Sequence, residues 1–216
     1  MRRPAAVLAA LCVLVALALV AVGLTQRSSL AFTLGVAPAV PAAEIAAGQT
    51  VCQTAIAVPE RFDRVAVWLK PSGGGGPALE ALVRDRTSGL PVIARGTLPA
   101  GYREGERAIP VDAVPAGRDV DVCLRNRGTG RVQLVGNADA ASRPTTAYVE
   151  GNPTLTDITL VFERSPRSLL AQAGAIADRA SLFKLSWIGG WALWVVAALV
   201  LLAVPALLVR ALRGVQ

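Results

Sequence analysis

The chain has 216 residues, of which 53% are hydrophobic, and it has a mean hydropathy of +0.50 and a formal net charge of +7. It contains no histidine, which excludes Ser-His-Asp and Cys-His catalytic groups, His-ligated metal sites and imidazole general bases. Outside four arginines at the chain ends there are 18 basic and 15 acidic residues, and no basic stripe is interleaved with aromatic residues. This balance argues against a nucleic-acid partner.

Two apolar runs, residues 5–24 and 187–209, are each at or beyond the length that crosses a bilayer as a helix. We therefore predict transmembrane helices within residues 1–26 and 186–209. The first has two alternative fates. It is either a retained signal anchor or a signal peptide that is cleaved near the small residues of Ala21-Val22-Gly23.

Arginines flank both runs: Arg2 and Arg3 precede the first, and Arg210 and Arg213 follow the second. Positively charged flanks favour the cytoplasmic side of a membrane. We therefore expect residues 210–216 to form a cytoplasmic tail and the chain between the two runs to be extracytoplasmic. This predicts a protein of the cell membrane with its main domain outside.

Three tryptophans in the second run lie on one face of the predicted helix, because Trp187, Trp191 and Trp194 are spaced i, i+4 and i+7. One interpretation is an aromatic belt at the membrane interface. The other is a face that binds a partner helix or a lipid-linked substrate.

Between the two runs, short apolar segments rich in β-branched residues alternate with turn sequences. This pattern predicts an all-β fold, an antiparallel β-sandwich or jelly roll, over residues 48–164. Alternation is strong in residues 64–70, and we assign the one tryptophan of that segment, Trp68, to the core. The predicted strands are residues 50–58, 64–70, 78–85, 91–98, 107–111, 119–125, 131–136, 145–149 and 157–163.

The segments on either side of the sandwich are assigned as connections. Residues 27–47 are predicted to be a linker. After the sandwich, Ser165 and Pro166 have the pattern of a helix N-cap followed by proline at the first helical position, and apolar residues recur at helical spacing from Leu169 onward. We predict a short amphipathic juxtamembrane helix over residues 165–185.

The three cysteines differ in their expected surroundings. Cys52 and Cys123 fall in predicted strands outside the membrane, whereas Cys12 lies in the first apolar run. In an oxidising compartment we expect Cys52 and Cys123 to form a disulfide. The alternative is a pair of unrelated buried thiols.

Carboxylates are the remaining candidates for acid–base catalysis. Glu104 and Glu106, and likewise Asp119 and Asp121, have i, i+2 spacing that puts each pair on one face of a strand. Exposed strands commonly carry such pairs, and no phosphate-binding glycine motif is present. We predict that the protein is not an enzyme and that it holds no cofactor or catalytic metal; a structural calcium ion in the sandwich loops is left open.

Two tyrosines are the candidates for stacking against a sugar. Tyr102 lies in the polar turn 101–105 and is expected to be exposed, and Tyr148 stands shortly before Glu150 and Asn152. The alternative for each is an ordinary surface tyrosine without a ligand.

A family resemblance rests on residues 48–52 (GQTVC), 62–65 (FDRV), 114–117 (VPAG) with Cys123 and Asn126, and 178–183 (DRASLF) followed by 187–191 (WIGGW). In these segments the chain resembles uncharacterised actinobacterial envelope membrane proteins that have an extracytoplasmic jelly-roll domain similar to carbohydrate-binding modules. The resemblance implies a location and a fold, and a role beside cell-surface glycosyltransferases. It assigns no site residues.

These observations favour a membrane-anchored, non-catalytic binding or accessory protein of the bacterial cell envelope, linked to surface glycan assembly. Its expected partners are the membrane and either an envelope glycan or a membrane glycosyltransferase. The alternative is a scaffold protein that holds a membrane enzyme through its transmembrane helices without binding glycan.

Overall fold

The structure is a computed structural model that describes residues 3–137, 147–181 and 191–214. The chain divides into two compact units, one comprising residues 29–165 and the other residues 1–28 together with 166–216. The first unit is built from strands, and the second contains the helices.

Thirteen strands in the described residues form two sheets. The seven-stranded sheet has the order β1-β13-β4-β9-β12, with β2 added on β9 and β7 on β4, and the six-stranded sheet has the order β11-β10-β3-β8-β5-β6. The paired strands run antiparallel. The strands are β1 (Arg27–Thr33), β2 (Val40–Ile45), β3 (Thr50–Val58), β4 (Phe62–Pro71), β5 (Leu79–Asp85), β6 (Val92–Leu98), β7 (Gly105–Val114), β8 (Arg118–Asn126), β9 (Val132–Asn137), β10 (Ala147–Val149), β11 (Asn152–Pro153), β12 (Asp157–Ile158) and β13 (Leu160–Ser168).

The core of the strand unit consists of the alternating apolar residues of both sheets. Val65, Val67 and Leu69 of β4 are fully buried, as the period-2 pattern predicts. Phe62 and Phe162 pack edge to face, with ring centroids 4.8 Å apart. The prediction of an all-β, antiparallel β-sandwich is confirmed.

The predicted linker over residues 27–47 is wrong, because two strands of the sandwich, β1 and β2, lie in it. The ring of Phe32 in β1 stacks on Phe162 at a centroid distance of 4.3 Å, so this segment contributes to the core. Strand β2 pairs with β9 and has an irregular register next to Pro41. Proline and alanine have low strand propensity, which is why the local pattern failed to predict a strand that β9 stabilises.

The boundary between strand and helix also differs from the prediction. Strand β13 continues through Pro166 to Ser168, and helix α2 (Leu169–Ser181) begins at the next residue. The N–H of Ala171 donates to Oγ of Ser168 at 3.2 Å, so Ser168, and not Ser165, caps the helix. The remaining predicted helical residues, 182–185, lie outside the described residues.

The helical unit also contains α1 (Arg3–Thr25), α3 (Trp191–Ala198) and α4 (Val204–Gly214), with a π-helical segment, Leu199–Ala203, between the last two. Over residues 3–137, 147–181 and 191–214, no helix is both long enough and apolar enough to cross a membrane. The two transmembrane helices therefore stay predictions, and the second apolar run, residues 187–209, begins outside the described residues.

Candidate ligand-binding groove

An open groove of about 370 Å³ lies against the six-stranded sheet. Its volume is within the range of about 300–1,000 Å³ that is usual for small-ligand sites. Four neighbouring strands, β10, β3, β8 and β5, and one turn supply hydroxyl groups, carboxylates, a guanidinium group and an aromatic ring. The lining residues are Thr50, Cys52, Thr54, Arg84, Asp121, Tyr148, Glu150 and Gly151.

The disulfide and Tyr148 lie side by side in one row across this face of the sheet. Cys52 of β3 pairs directly with Cys123 of β8, and Tyr148 of β10 pairs with Cys52 on its other side. The predicted disulfide between Cys52 and Cys123 is confirmed. It joins two strands that are already hydrogen-bonded neighbours, and it fixes the sheet next to the tyrosine.

A tight turn orients Tyr148 and Glu150. Residues Glu150 and Gly151 both have positive φ, at 48° and 83°, and they connect the paired residues Val149 and Asn152. This is the two-residue hairpin turn that suits the twist of antiparallel strands. The turn is tied to β3, since the N–H of Glu150 donates to the carbonyl of Thr50 at 3.1 Å and Oε1 of Glu150 accepts from the N–H of Thr50 at 2.5 Å.

A bulge in β3 positions Asp121. The register of β3 and β8 shifts between Gln53 and Ile56, and Ala55 within the bulge has φ of 56°. The N–H of Ala55 donates to Oδ1 of Asp121 at 3.0 Å, and the guanidinium of Arg86 donates to the same oxygen at 3.1 Å. The largely buried carboxylate of Asp121 therefore has its charge balanced from within the protein.

A second carboxylate anchors the turn that carries Arg86. The N–H of Thr87 donates to Oδ1 of Asp85 at 2.9 Å, and Arg118 forms an ion pair with the other oxygen. These contacts, above all the hydrogen bond from the Thr87 backbone, hold the pKa of Asp85 below its ordinary value of 3.8 despite the opposing effect of burial. An ionised Asp85 therefore stabilises the turn after β5, which carries Arg86.

Tyr102 does not lie in the groove. The expectation that it is exposed is wrong, because the residue is only 9% exposed and belongs to the core. Its ring lies against Gly76, where an added Cβ would be 2.1 Å from two ring atoms. Burial raises the pKa of Tyr102, and its hydroxyl has no hydrogen-bond partner in the described residues. A sugar could stack on this ring only after the ring moved away from Gly76.

Trp68 was assigned to the core, and this assignment is wrong. It is 36% exposed on the outer face of the seven-stranded sheet, where it pairs with Glu106 of β7. The sequence contained the necessary information, because Arg64 and Lys70 share its face of β4. Trp68 is thus an exposed aromatic residue on the sheet opposite the groove.

The tryptophan face is only partly described. Trp187 lies outside the described residues, whereas Trp191 and Trp194 are in α3, 59% and 51% exposed. Both rings are free of intramolecular packing over much of their surface. The interpretations as an aromatic belt or as a partner-binding face stay predictions.

The groove has the chemical groups that recognise a polar ligand with an apolar face. A half-buried tyrosine can stack against a sugar ring, and the hydroxyl, carboxylate and guanidinium groups around it can exchange hydrogen bonds with sugar hydroxyls. Sequence reasoning selected Tyr148 but missed Thr50, Thr54 and Arg84, because the pairing of β3, β5, β8 and β10 brings them together and no local motif does.

Comparison with known proteins gives no assignment: no family model matches the chain, and no curated protein is significantly similar to it.

Proposed function

We propose that this protein is a membrane-anchored, non-catalytic accessory protein of the bacterial cell envelope that binds glycan in the groove around Tyr148 during surface glycan assembly. The observation that carries the proposal is the juxtaposition of Tyr148 with Arg84, Asp121 and Glu150 in one open groove. An aromatic ring bordered by a few oriented polar groups is the usual construction of a small-ligand site.

The fold is compatible with this function. A two-layer antiparallel sandwich is the architecture that jelly-roll carbohydrate-binding domains use, although many unrelated functions share it. We propose the jelly-roll assignment on this basis and on the sequence resemblance to envelope proteins. The disulfide between Cys52 and Cys123 supports an extracytoplasmic location, since disulfides persist in oxidising compartments.

Membrane anchoring has support from the helical unit. Large apolar side chains are exposed along α1, among them Val7, Leu11, Leu14 and Leu17, and α1 has no ionisable side chain except Cys12 after Arg3. Soluble proteins rarely expose such contiguous apolar surface. We propose that residues 1–26 and 186–209 are embedded in the membrane, with the sandwich outside and both chain ends in the cytoplasm.

Helix α2 has the properties of a juxtamembrane helix. Its apolar residues Leu169, Leu170 and Ile176 are exposed, whereas Gln172 is buried and donates from Nε2 to the carbonyl of Arg167 at 2.9 Å. An exposed apolar stripe on a short helix next to an apolar segment suits the membrane interface.

A binding role is favoured over catalysis. The two groove carboxylates, Asp121 and Glu150, already accept hydrogen bonds from the protein, and the chain has no histidine to act as a general base. A groove of this kind can hold a glycan without activating water or a leaving group.

The test is a titration of the purified full-length protein in mild detergent with neutral arabinan, galactan and mannan oligosaccharides and with an acidic oligogalacturonate, by calorimetry. We expect saturable binding to one of them and about a fivefold loss of affinity in Tyr148→Ala, since ring stacking contributes about 1 kcal/mol. Trp68→Ala is the matched control, because it removes an exposed aromatic ring from the opposite sheet. Absence of binding to every glycan, or loss in Trp68→Ala with full binding in Tyr148→Ala, would overturn the proposal.

The exposure of Trp191 and Trp194 favours a second function, in which the helices hold a membrane enzyme. In that case a membrane glycosyltransferase should co-purify with the wild-type protein and be lost from a Trp191→Ala/Trp194→Ala variant, whereas Tyr148→Ala should retain it. Equal recovery of the enzyme with both variants would contradict this function.

A further inference from the structure

The arginines around the six-stranded sheet fall into two groups. Four of them form ion pairs: Arg86 with Asp121, Arg118 with Asp85, and both Arg95 and Arg127 with Glu80. The other two, Arg84 and Arg125, form no ion pair with any residue in the part of the chain that the structure describes.

Arg84 is the unpaired arginine that lines the groove. It lies on β5 directly opposite Asp121 of β8, but Asp121 already accepts from Arg86 and from the N–H of Ala55. Glu150, the other groove carboxylate, accepts from the N–H of Thr50. The two negative charges of the groove are thus engaged, and the guanidinium of Arg84 retains its donors.

Arg125, the second of these arginines, lies on β8 and does not line the groove. It pairs in register with Thr50 on one side and Glu80 on the other, and its buried Nε has no hydrogen-bond partner among the described residues. Because Arg125 and Asp121 are four residues apart on β8, the backbone positions of the two arginines are separated by about 13 Å along the strand direction.

We propose that the glycan bound in this groove is anionic and that Arg84 holds its negatively charged group, a carboxylate or a phosphate. The inference rests on the proposed glycan-binding function and names the class of glycan. A guanidinium group presents its N–H donors in a planar fork that matches the two oxygens of either anion. Tyr148 provides the stacking surface, and Arg84 distinguishes a charged sugar from a neutral one.

The experiment titrates the full-length protein with pairs of ligands, one anionic and one neutral, that share the same sugar backbone. An α-linked galacturonate tetrasaccharide is compared with its methyl-esterified form, and mannose 6-phosphate with mannose. We expect at least about tenfold tighter binding of an anionic ligand than of its neutral counterpart, which is the gain that one charge-assisted hydrogen bond gives. Preference for galacturonate identifies a carboxylate, and preference for mannose 6-phosphate identifies a phosphate; either supports the proposal.

Arg84→Met and Arg95→Met remove the same charge at two places, and comparing them locates the effect. Arg84→Met should reduce the ratio of anionic to neutral affinity to about one. Arg84→Lys should restore part of that ratio, because lysine keeps the charge without the planar fork of donors. Arg95→Met is the matched control, since Arg95 is on the same sheet but outside the groove; it should keep the full preference. Thermal unfolding of each variant verifies that it is folded.

The outcomes separate this inference from the proposed function. Binding of neutral and anionic ligands with equal affinity, together with a loss in Tyr148→Ala, would overturn the anionic class and leave the glycan-binding function standing. An anion preference that Arg84→Met retains would overturn the role of Arg84. Failure of every ligand to bind would overturn both proposals.

Discussion

Breaking the Cys52–Cys123 disulfide should lower the free energy of unfolding of the sandwich by about 4.4 kcal/mol. The two cysteines are separated by 71 residues, and the chain-entropy relation for a closed loop of about that length gives this value at 25 °C. The native strands should stay paired after reduction, because Val51 and Gln53, on either side of Cys52, pair with Leu124 and Val122 in β8. The bond thus acts mainly by restricting the unfolded chain.

Hydrogen exchange measures this difference without unfolding the helical unit. Exchange of peptides from β3 and β8 is compared with and without a phosphine reductant in a Cys12→Ala background, which removes the third thiol. A loss of about 4.4 kcal/mol corresponds to exchange that is faster by about three orders of magnitude when exchange follows global opening. Peptides from α1 serve as the internal control.

Two results would refute the reasoning. A change below about 1 kcal/mol in the stability of β3 and β8 would mean that the unfolded chain gains little freedom when the bond is broken. Complete unfolding on reduction would mean that the strand pairing depends on the bond itself.

Four further predictions concern buried polar groups and close packing. Tyr102→Phe should stabilise the fold by about 1 kcal/mol and so raise the melting temperature, because it removes a buried hydroxyl that has no hydrogen-bond partner in the part of the chain that the structure describes. A lower melting temperature would contradict this. Because burial raises the pKa of Tyr102, the folded state keeps its proton more tightly, so stability should fall as the pH rises above about 10, and this part of the fall should be absent in Tyr102→Phe. Gly76→Ala should cost about 1–3 kcal/mol in urea unfolding, since the new Cβ overlaps the Tyr102 ring, and Tyr102→Ala should suppress that additional cost. Because the pKa of Asp85 is lowered in the folded state, its stabilising contribution is present above pH 3.8 and is lost as the pH falls through the depressed pKa. Asp85→Asn should therefore be less stable than the wild type at neutral pH and should lose less stability on acidification. Acid unfolding curves of the variant and the wild type that run parallel would contradict this.

The sequence predicted the strands whose alternation is strong. Residues 50–58 form β3 with the predicted boundaries, and β4 exceeds its predicted range by two residues at one end and one at the other. In both strands β-branched residues such as Val51, Val65 and Val67 are buried, so local propensity and tertiary packing favour the same structure at these positions. The disulfide was predictable because only Cys52 and Cys123 lie in predicted strands.

The errors came from residues whose environment depends on long-range pairing. Tyr102 is in a polar turn, and nothing in residues 101–105 indicates that its ring packs on Gly76, 26 positions away in the chain. Strand β2 has weak propensity and is stabilised by β9, almost 90 residues later. The error at Trp68 has a different cause, since the alternation of β4 itself places this residue on the outer face of the sheet and the assignment to the core did not follow that pattern.

The groove itself was predictable only in part. Tyr148 was selected because polar residues follow it in the chain, and it does line the groove. Arg84 and Asp121 are 37 positions apart, and they meet because β5 and β8 pair in one register. A site that is assembled by sheet register has no local sequence motif, so its full composition required the fold.

The measurement that tests the central claim most directly is a hydrogen-exchange footprint of the full-length protein with and without a saturating galacturonate tetrasaccharide. We predict slower exchange confined to the segments that line the groove, in β3, β5, β8, β10 and the Glu150–Gly151 turn, with no such protection in Tyr148→Ala or Arg84→Met. Unchanged exchange in these segments, or protection centred on β4 and β7 around Trp68, would contradict it.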